Sequence, residues 1–226
     1  MIALVTVNPS FSLHVTGGSS ASVKLFLFMT LLSFATAILL SITSFTRIII
    51  LLSFVRQGLG TPQLPPNQVL LGLALALSAF IMAPTAKAVW TEALSPYMDD
   101  TLTSEEALKR ASVPVRHFML RHVRQDDLQL FYRISGAPRP DSEEEIPLTV
   151  AIPAFMVSEL TTAFRMGLTV LVPMLLMDLL VSSILLSLGM MMVPPTLVSL
   201  PLKVGVFLLA GGWHLIVEST LRSFSP

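Results

Sequence analysis

Hydrophobic positions along this chain fall into two long blocks separated by a polar middle. The first block runs from about Ser22 to Lys87 and the second from about Ile152 to Val217. Inside them, Leu25–Thr46 has 22 residues without a charge, Gln57–Ala86 has 30 and Leu179–Leu202 has 24. A helix needs roughly 20 apolar residues, at about 1.5 Å each, to cross a bilayer core of about 30 Å. The pattern predicts four apolar helical segments, at about 23–56, 67–90, 151–189 and 200–222. Proline and glycine punctuate them, at Gly60-Thr61-Pro62, Pro65-Pro66 and Pro194-Pro195. The competing reading is a helical core buried in a large soluble complex.

Simple membrane spans fit these segments poorly. As one helix, Leu25–Val55 would extend about 46 Å. Arg47 interrupts it immediately before Ile48-Ile49-Ile50. Asp178 follows Pro173 inside the third segment, and Lys203, Gly211-Gly212 and Glu218 lie in the fourth. Ionisable groups facing lipid are expensive and usually face protein or water. The helices are therefore expected to pack mostly on other protein. Met1–Val15 lacks the basic start and long apolar centre of a signal peptide, and its partial alternation suggests an extended segment. The resulting organisation is an extended N-terminal segment (1–22), a first apolar hairpin (23–90), a polar helical lobe (91–150) and a second apolar hairpin (151–226).

The polar lobe carries most of the charge. Ten acidic and seven basic residues lie between Asp99 and Glu145, out of 14 of each sign in the whole chain. Thr103-Ser104-Glu105-Glu106 reads as a capping box opening a helix, which Pro114 interrupts or restarts. Val115, Phe118, Met119, His122 and Val123 share one face. Asp126-Asp127 opens a second short helix, and residues 136–145 form an acidic loop. Counting arginines and lysines near the apolar segments weakly places this lobe in the cytoplasm.

Composition narrows the chemistry. The net charge is zero, 53% of residues are hydrophobic and 12% are charged. Zero net charge argues against a nucleic-acid binder. The absence of cysteine excludes disulfides, thiolate metal sites and cysteine nucleophiles. His117 and His122 are five apart, which does not stack them as a metal pair on a helix. No nucleophile elbow, phosphate loop or dinucleotide fingerprint occurs. The chain reads as a non-enzyme without a cofactor or metal.

Three features remain. Gly189-Met190-Met191-Met192-Val193-Pro194-Pro195 ends a helix, presents three flexible apolar side chains and blocks the helix from resuming. It is either a greasy helix–helix turn, the favoured reading from the residues alone, or a deformable seal. Asp178 must be protonated, paired or hydrated in its apolar surroundings, with Lys203 as a candidate partner. A register-fixing ion pair is favoured over a proton- or ion-sensitive site. Asn67, after Pro65-Pro66, is expected to cap the helix that follows.

Six segments together carry a family resemblance. TSFTRIIILLSFVRQGLGTPQLPPNQVLLGLAL (Thr43–Leu75), FIMAPTAKAVW (Phe80–Trp90), RHFMLRHVRQDDLQLF (Arg116–Phe131), IPAFMVSELTTAFRMG (Ile152–Gly167), PMLLMDLLVSSILLSLGMMMVPP (Pro173–Pro195) and SLPLKVGVFLLAGGW (Ser199–Trp213) resemble the FliP family of flagellar type III export-gate proteins. The match is in order from about Val23 to Phe224, and its wording is flagellar rather than injectisome-like. One departure is Gly211-Gly212-Trp213 where the family usually has Asp-Gly-Trp.

The resemblance implies an all-α fold of membrane-associated helical hairpins with a small polar helical lobe, assembling into a pentameric ring. The ring would join FliQ-like and FliR-like subunits in the bacterial inner membrane, with FlhB- and FlhA-like proteins as further partners. Unfolded flagellar subunits would pass through it. The polar lobe would face the periplasm, an implication preferred here over the charge count. Met190, Met191 and Met192 would form the channel seal, and Asp178 and Lys203 a buried polar pair needed for assembly or function. Arg116, Phe118 and Glu159 would be subunit contacts. The alternative function is an ion-coupled membrane transporter using Asp178.

Overall fold

A computed structural model describes residues 19–61, 63–136 and 145–225. The described residues form helices and no strand. The expected extended segment lies almost wholly outside them, and the first helix starts at Ser19, ahead of the expected boundary. The chain divides into two compact units, Met1–Leu39 and Leu40–Pro226. Helix α1 (Ser19–Ile42) supplies the described part of the first unit and exposes Val23, Phe26 and Phe28.

The second unit is built around α2 (Phe45–Leu59). The single long helix expected over 23–56 is broken at Thr43-Ser44. There the Ser44 hydroxyl donates to that of Ser78, 3.1 Å away, and both residues are buried. A buried hydroxyl needs a partner, and this contact ties the break to α3 (Asn67–Val89). Phe45, Ile48, Leu51, Leu52, Val55 and Leu59 follow the three-and-four spacing of one helical face. That face is buried against Leu70 and Ala74 of α3, Met174 of α7 (Leu148–Ser187), Phe207 of α8 (Pro195–Leu209) and Ile216 of α9 (Gly212–Arg222).

Close approach of α2 to α7 depends on small residues. A Cβ on Gly58 would touch the Met174 side chain at 3.4 Å, and one on Gly167 would overlap the Phe54 ring and its own Cβ. Phe54 also meets Phe164 edge to face, with ring centroids 5.1 Å apart.

The polar lobe has its own core. Helix α3 continues through a π-helical turn, Trp90–Leu94, into α4 (Ser95–Met98). Next come α5 (Ser104–His122) and α6 (Gln125–Ser135). Phe118, Met119, Val123 and Leu128 pack on Ile146, Val150, Ala151, Ala154 and Phe155. The capping box is present: Thr103 Oγ1 accepts from the Glu106 amide at 3.3 Å, and Glu106 Oε2 accepts from the Thr103 amide at 3.0 Å.

Two local expectations need correction. Pro114 neither stops nor restarts α5, which runs straight through it. The carbonyl that proline leaves without a donor belongs to Arg110, an exposed residue open to water. Asn67 does not cap α3. It is the first helical residue, after Pro66, and its Oδ1 accepts from Arg56 Nη1. Most of the acidic loop lies outside the described residues.

Two continuous helical stretches are long and apolar enough to cross a membrane, Asn67–Met98 with 32 residues and Leu148–Ser187 with 40. The α8–α9 pair, bent by 60°, makes a third if counted as one span. At about 1.5 Å per residue, α7 extends about 60 Å, twice a bilayer core.

Gly167→Ala should lower stability by about 1–3 kcal/mol, because the new methyl must displace Phe54 near its backbone. Gly72→Ala, whose new methyl would meet nothing within 4 Å, should be neutral or slightly stabilising. Thermal unfolding of both variants in detergent checks this pair.

Candidate functional site

Four charges inside the apolar blocks meet in two pairs. Lys203 Nζ on α8 donates to Asp178 Oδ2 on α7 at 2.5 Å. Lys203 is buried, and the Asp178 side chain is 32% exposed. The ammonium also lies beside the end of α2, where a Cβ on Gly60 would sit 3.7 Å from Nζ. Gly60 adopts a left-handed φ of 75° that closes α2. A cation at this C-terminal end is favoured by the helix dipole. The other carboxylate oxygen, Asp178 Oδ1, is buried, and the buried Ser199 hydroxyl of α8 lies beside the carboxylate. The structure thus joins the two residues expected to pair.

The second pair was not legible as a pair. Arg47 on α2 and Glu159 on α7 are 2% and 0% exposed. Arg47 Nε donates to Glu159 Oε2 at 2.9 Å, and Nη2 donates to Oε1, so the contact is a two-pronged fork. Such bidentate pairs are among the stronger polar contacts. The remaining Nη1 donates to the Ser223 carbonyl at 3.1 Å and its hydroxyl at 2.9 Å. The Phe224 ring covers the guanidinium, with its centroid 3.8 Å from Cζ. One buried arginine therefore fastens α2, α7 and the segment after α9. Its sequence signal was a lone charge in an apolar run, but several such charges exist, and the sequence does not say which helices are neighbours.

Next to Glu159, Ser158 pins the lobe. Its hydroxyl accepts from the Arg124 amide at 3.0 Å and donates to Asp127 at 2.7 Å. Phe118 is buried in the lobe core and stacks on Phe224, with centroids 6.2 Å apart. Arg116 is half-buried on α5. All three expected subunit contacts therefore have partners within the single chain.

His122 completes this junction. Nδ1 faces the Phe118 carbonyl at 2.7 Å and Nε2 the Phe224 carbonyl at 3.4 Å. Burial disfavours the charged ring and holds His122 below the ordinary value of 6.5. The two carbonyls oppose this shift, while Arg47 and Arg121 reinforce it.

The methionine run forms the tip between α7 and α8. Gly189, at φ 74°, follows the last turn of α7. Its amide donates to the Leu186 carbonyl at 3.0 Å, and the Met190 amide donates to that of Leu185 at 2.9 Å. This paired pattern is a Schellman cap. It fixes the backbone while the side chains project, with Met190, Met191 and Met192 at 45%, 74% and 95% exposed. Met190 and Met191 also border an open apolar pocket of about 260 Å³ with Leu185, Leu186 and Val193.

Long apolar helices, charges neutralised inside the chain and an exposed methionine tip define an all-helical protein of membrane-inserting character. Residues 28–220 match the FliP family. The chain is 50% identical over 205 residues to the flagellar biosynthetic protein FliP of Bacillus subtilis, covering 91% of this chain and 93% of that protein. It is 47% identical over 219 residues to that of Aquifex aeolicus, covering 96% and 92%. For the Pectobacterium carotovorum protein of the same name the figures are 50% over 210 residues, 92% and 81%. The chain belongs to the FliP family.

The depressed His122 value sets a direction for pH. Unfolded chains bind a proton to this ring at higher pH than folded ones, so stability is full above about pH 6.5. It falls as pH drops through that value toward the folded one. Unfolding temperature should therefore drop between pH 7.5 and 5.5, and the drop should shrink in His122→Gln. Nuclear magnetic resonance titration of the ring in the full chain would read the same shift directly.

Proposed function

We propose that this chain is a channel-forming core subunit of a flagellar protein-export gate in the bacterial inner membrane. The observation that carries this reading is the near-complete match to proteins named flagellar biosynthetic protein FliP. The subunits form a homo-oligomeric ring, a pentamer by resemblance, and join FliQ-like and FliR-like subunits. FlhB- and FlhA-like proteins act on the ring, and unfolded flagellar subunits traverse it. The polar lobe faces the periplasm. Arg116 is the subunit contact that reaches the surface, and Phe118 and Glu159 support that boundary from within.

The mechanism is passive and non-enzymatic. Met190, Met191 and Met192, brought together from several copies, close the path by burying apolar surface against one another. Their unbranched side chains adapt to an entering chain and re-form the seal behind it. The Schellman cap and Pro194-Pro195 hold the loop backbone while the side chains move. The Asp178–Lys203 pair holds α8 on α7 and so sets where the loop projects.

A second reading has one observation in its favour. The Asp178 carboxylate stays 32% exposed among apolar neighbours, which suits a site that exchanges a proton or cation, as an ion-coupled transporter would need.

Native mass spectrometry of the chain co-expressed with FliQ-like and FliR-like subunits should give one discrete complex holding several copies. Deleting Met190–Met192 should leave the subunit count unchanged and make cells leak ions. A monomer that takes up no partner, yet moves ions alone in liposomes and loses this in Asp178→Asn, would favour the transporter.

A further inference from the structure

A cavity of about 260 Å³ opens beside the arginine junction. Arg47, Arg121, His122, Thr162, Ser223 and Ser225 line it. All six are polar, in a chain that is 53% hydrophobic. Polar groups lining a cavity need hydrogen-bonding partners, which a polar ligand can supply.

The hydrogen-bonding groups around it are unequally used. Arg47 is committed to Glu159 and Ser223. The Ser223 hydroxyl accepts from Arg47 and donates to the Thr220 carbonyl at 2.7 Å. That of Ser225 donates to the Leu221 carbonyl over a longer 3.2 Å. Arg121 and Thr162 make no hydrogen bond or ion pair among the described residues.

The charges are also unbalanced. Glu159 cancels Arg47 by direct contact, and Asp126 lies 3.6 Å from Arg124. Arg121 has no such counterpart among the described residues and is exposed at the mouth. The cavity is thus electropositive, with free donors arriving from α5 and α7 and a weakly held hydroxyl from the segment after α9.

We propose that this cavity binds a phosphate oxyanion, with Arg121 as its charged anchor and the Thr162 and Ser225 hydroxyls as further donors. A guanidinium fork suits a phosphate. A planar carboxylate offers two oxygens, whereas a phosphate spreads its acceptors in three dimensions and can meet donors from three elements at once. The bound anion bridges α5, α7 and the segment following α9, beside the contacts that Arg47 already makes. A lipid headgroup and free inorganic phosphate both carry this chemistry.

The test follows unfolding of the full chain in phosphate-free detergent at constant ionic strength. Inorganic phosphate is titrated in one arm and dihexanoyl phosphatidylglycerol in the other. At least one should raise the unfolding temperature saturably. A response to phosphate alone identifies the free anion, and a response to the lipid alone identifies a headgroup. Arg121→Gln should weaken the apparent affinity at least about tenfold. Thr162→Val should weaken it less, and Arg133→Gln, on α6, should leave it unchanged. No response to either probe would overturn the proposal. So would equal responses from wild type, Arg121→Gln and Thr162→Val.

Discussion

The arrangement of helices depends on the contact between Arg47 and Glu159. Neither charge reaches solvent, and an isolated buried ion would be destabilising by several kcal/mol or more. Each must therefore find the other, and only one rotation and height of α2 against α7 allows a two-pronged contact. The same guanidinium then holds Ser223 and Phe224, so the end of the chain is placed by a charge near its beginning. Apolar packing between such helices tolerates sliding. A fork of hydrogen bonds does not.

Around this contact the structure uses small residues and caps where sliding would otherwise occur. Gly58 and Gly167 let α2 and α7 approach, Ser158 fixes the lobe to α7, and Lys203 fixes α8 to α7 beside the end of α2. The Asp178–Lys203 pair is less enclosed than the Arg47–Glu159 pair. That difference divides their roles. The enclosed pair fixes α2, α7 and the segment after α9, and the half-open pair holds α8 on α7 beside the end of α2.

Much of this was readable from residue pattern. Period and length gave the apolar helices, and Thr103 with Glu106 gave the start of α5. Gly189 followed by Pro194-Pro195 gave the turn that presents the methionines. The resemblance supplied the family, which the relatives bear out. Three things were not legible. The break at Thr43-Ser44 is tied to a distant partner, Ser78, that local sequence does not reveal. Proline need not break one when the carbonyl it leaves is exposed, as at Pro114. Charge pairing across 112 positions, as for Arg47 and Glu159, depends on which helices are neighbours, and local sequence does not encode that.

The Arg47–Glu159 and Asp178–Lys203 charges act as internal pins, neutralised inside one chain. A double-mutant cycle on Arg47→Met and Glu159→Met, read by unfolding of the full chain in detergent, tests this pinning most directly. Each single change should destabilise by about 3–5 kcal/mol, because it strands a buried charge. The double change should be far milder than their sum, with a coupling of a few kcal/mol. Effects that add to within about 0.5 kcal/mol would contradict the account, since the two side chains would then be independent.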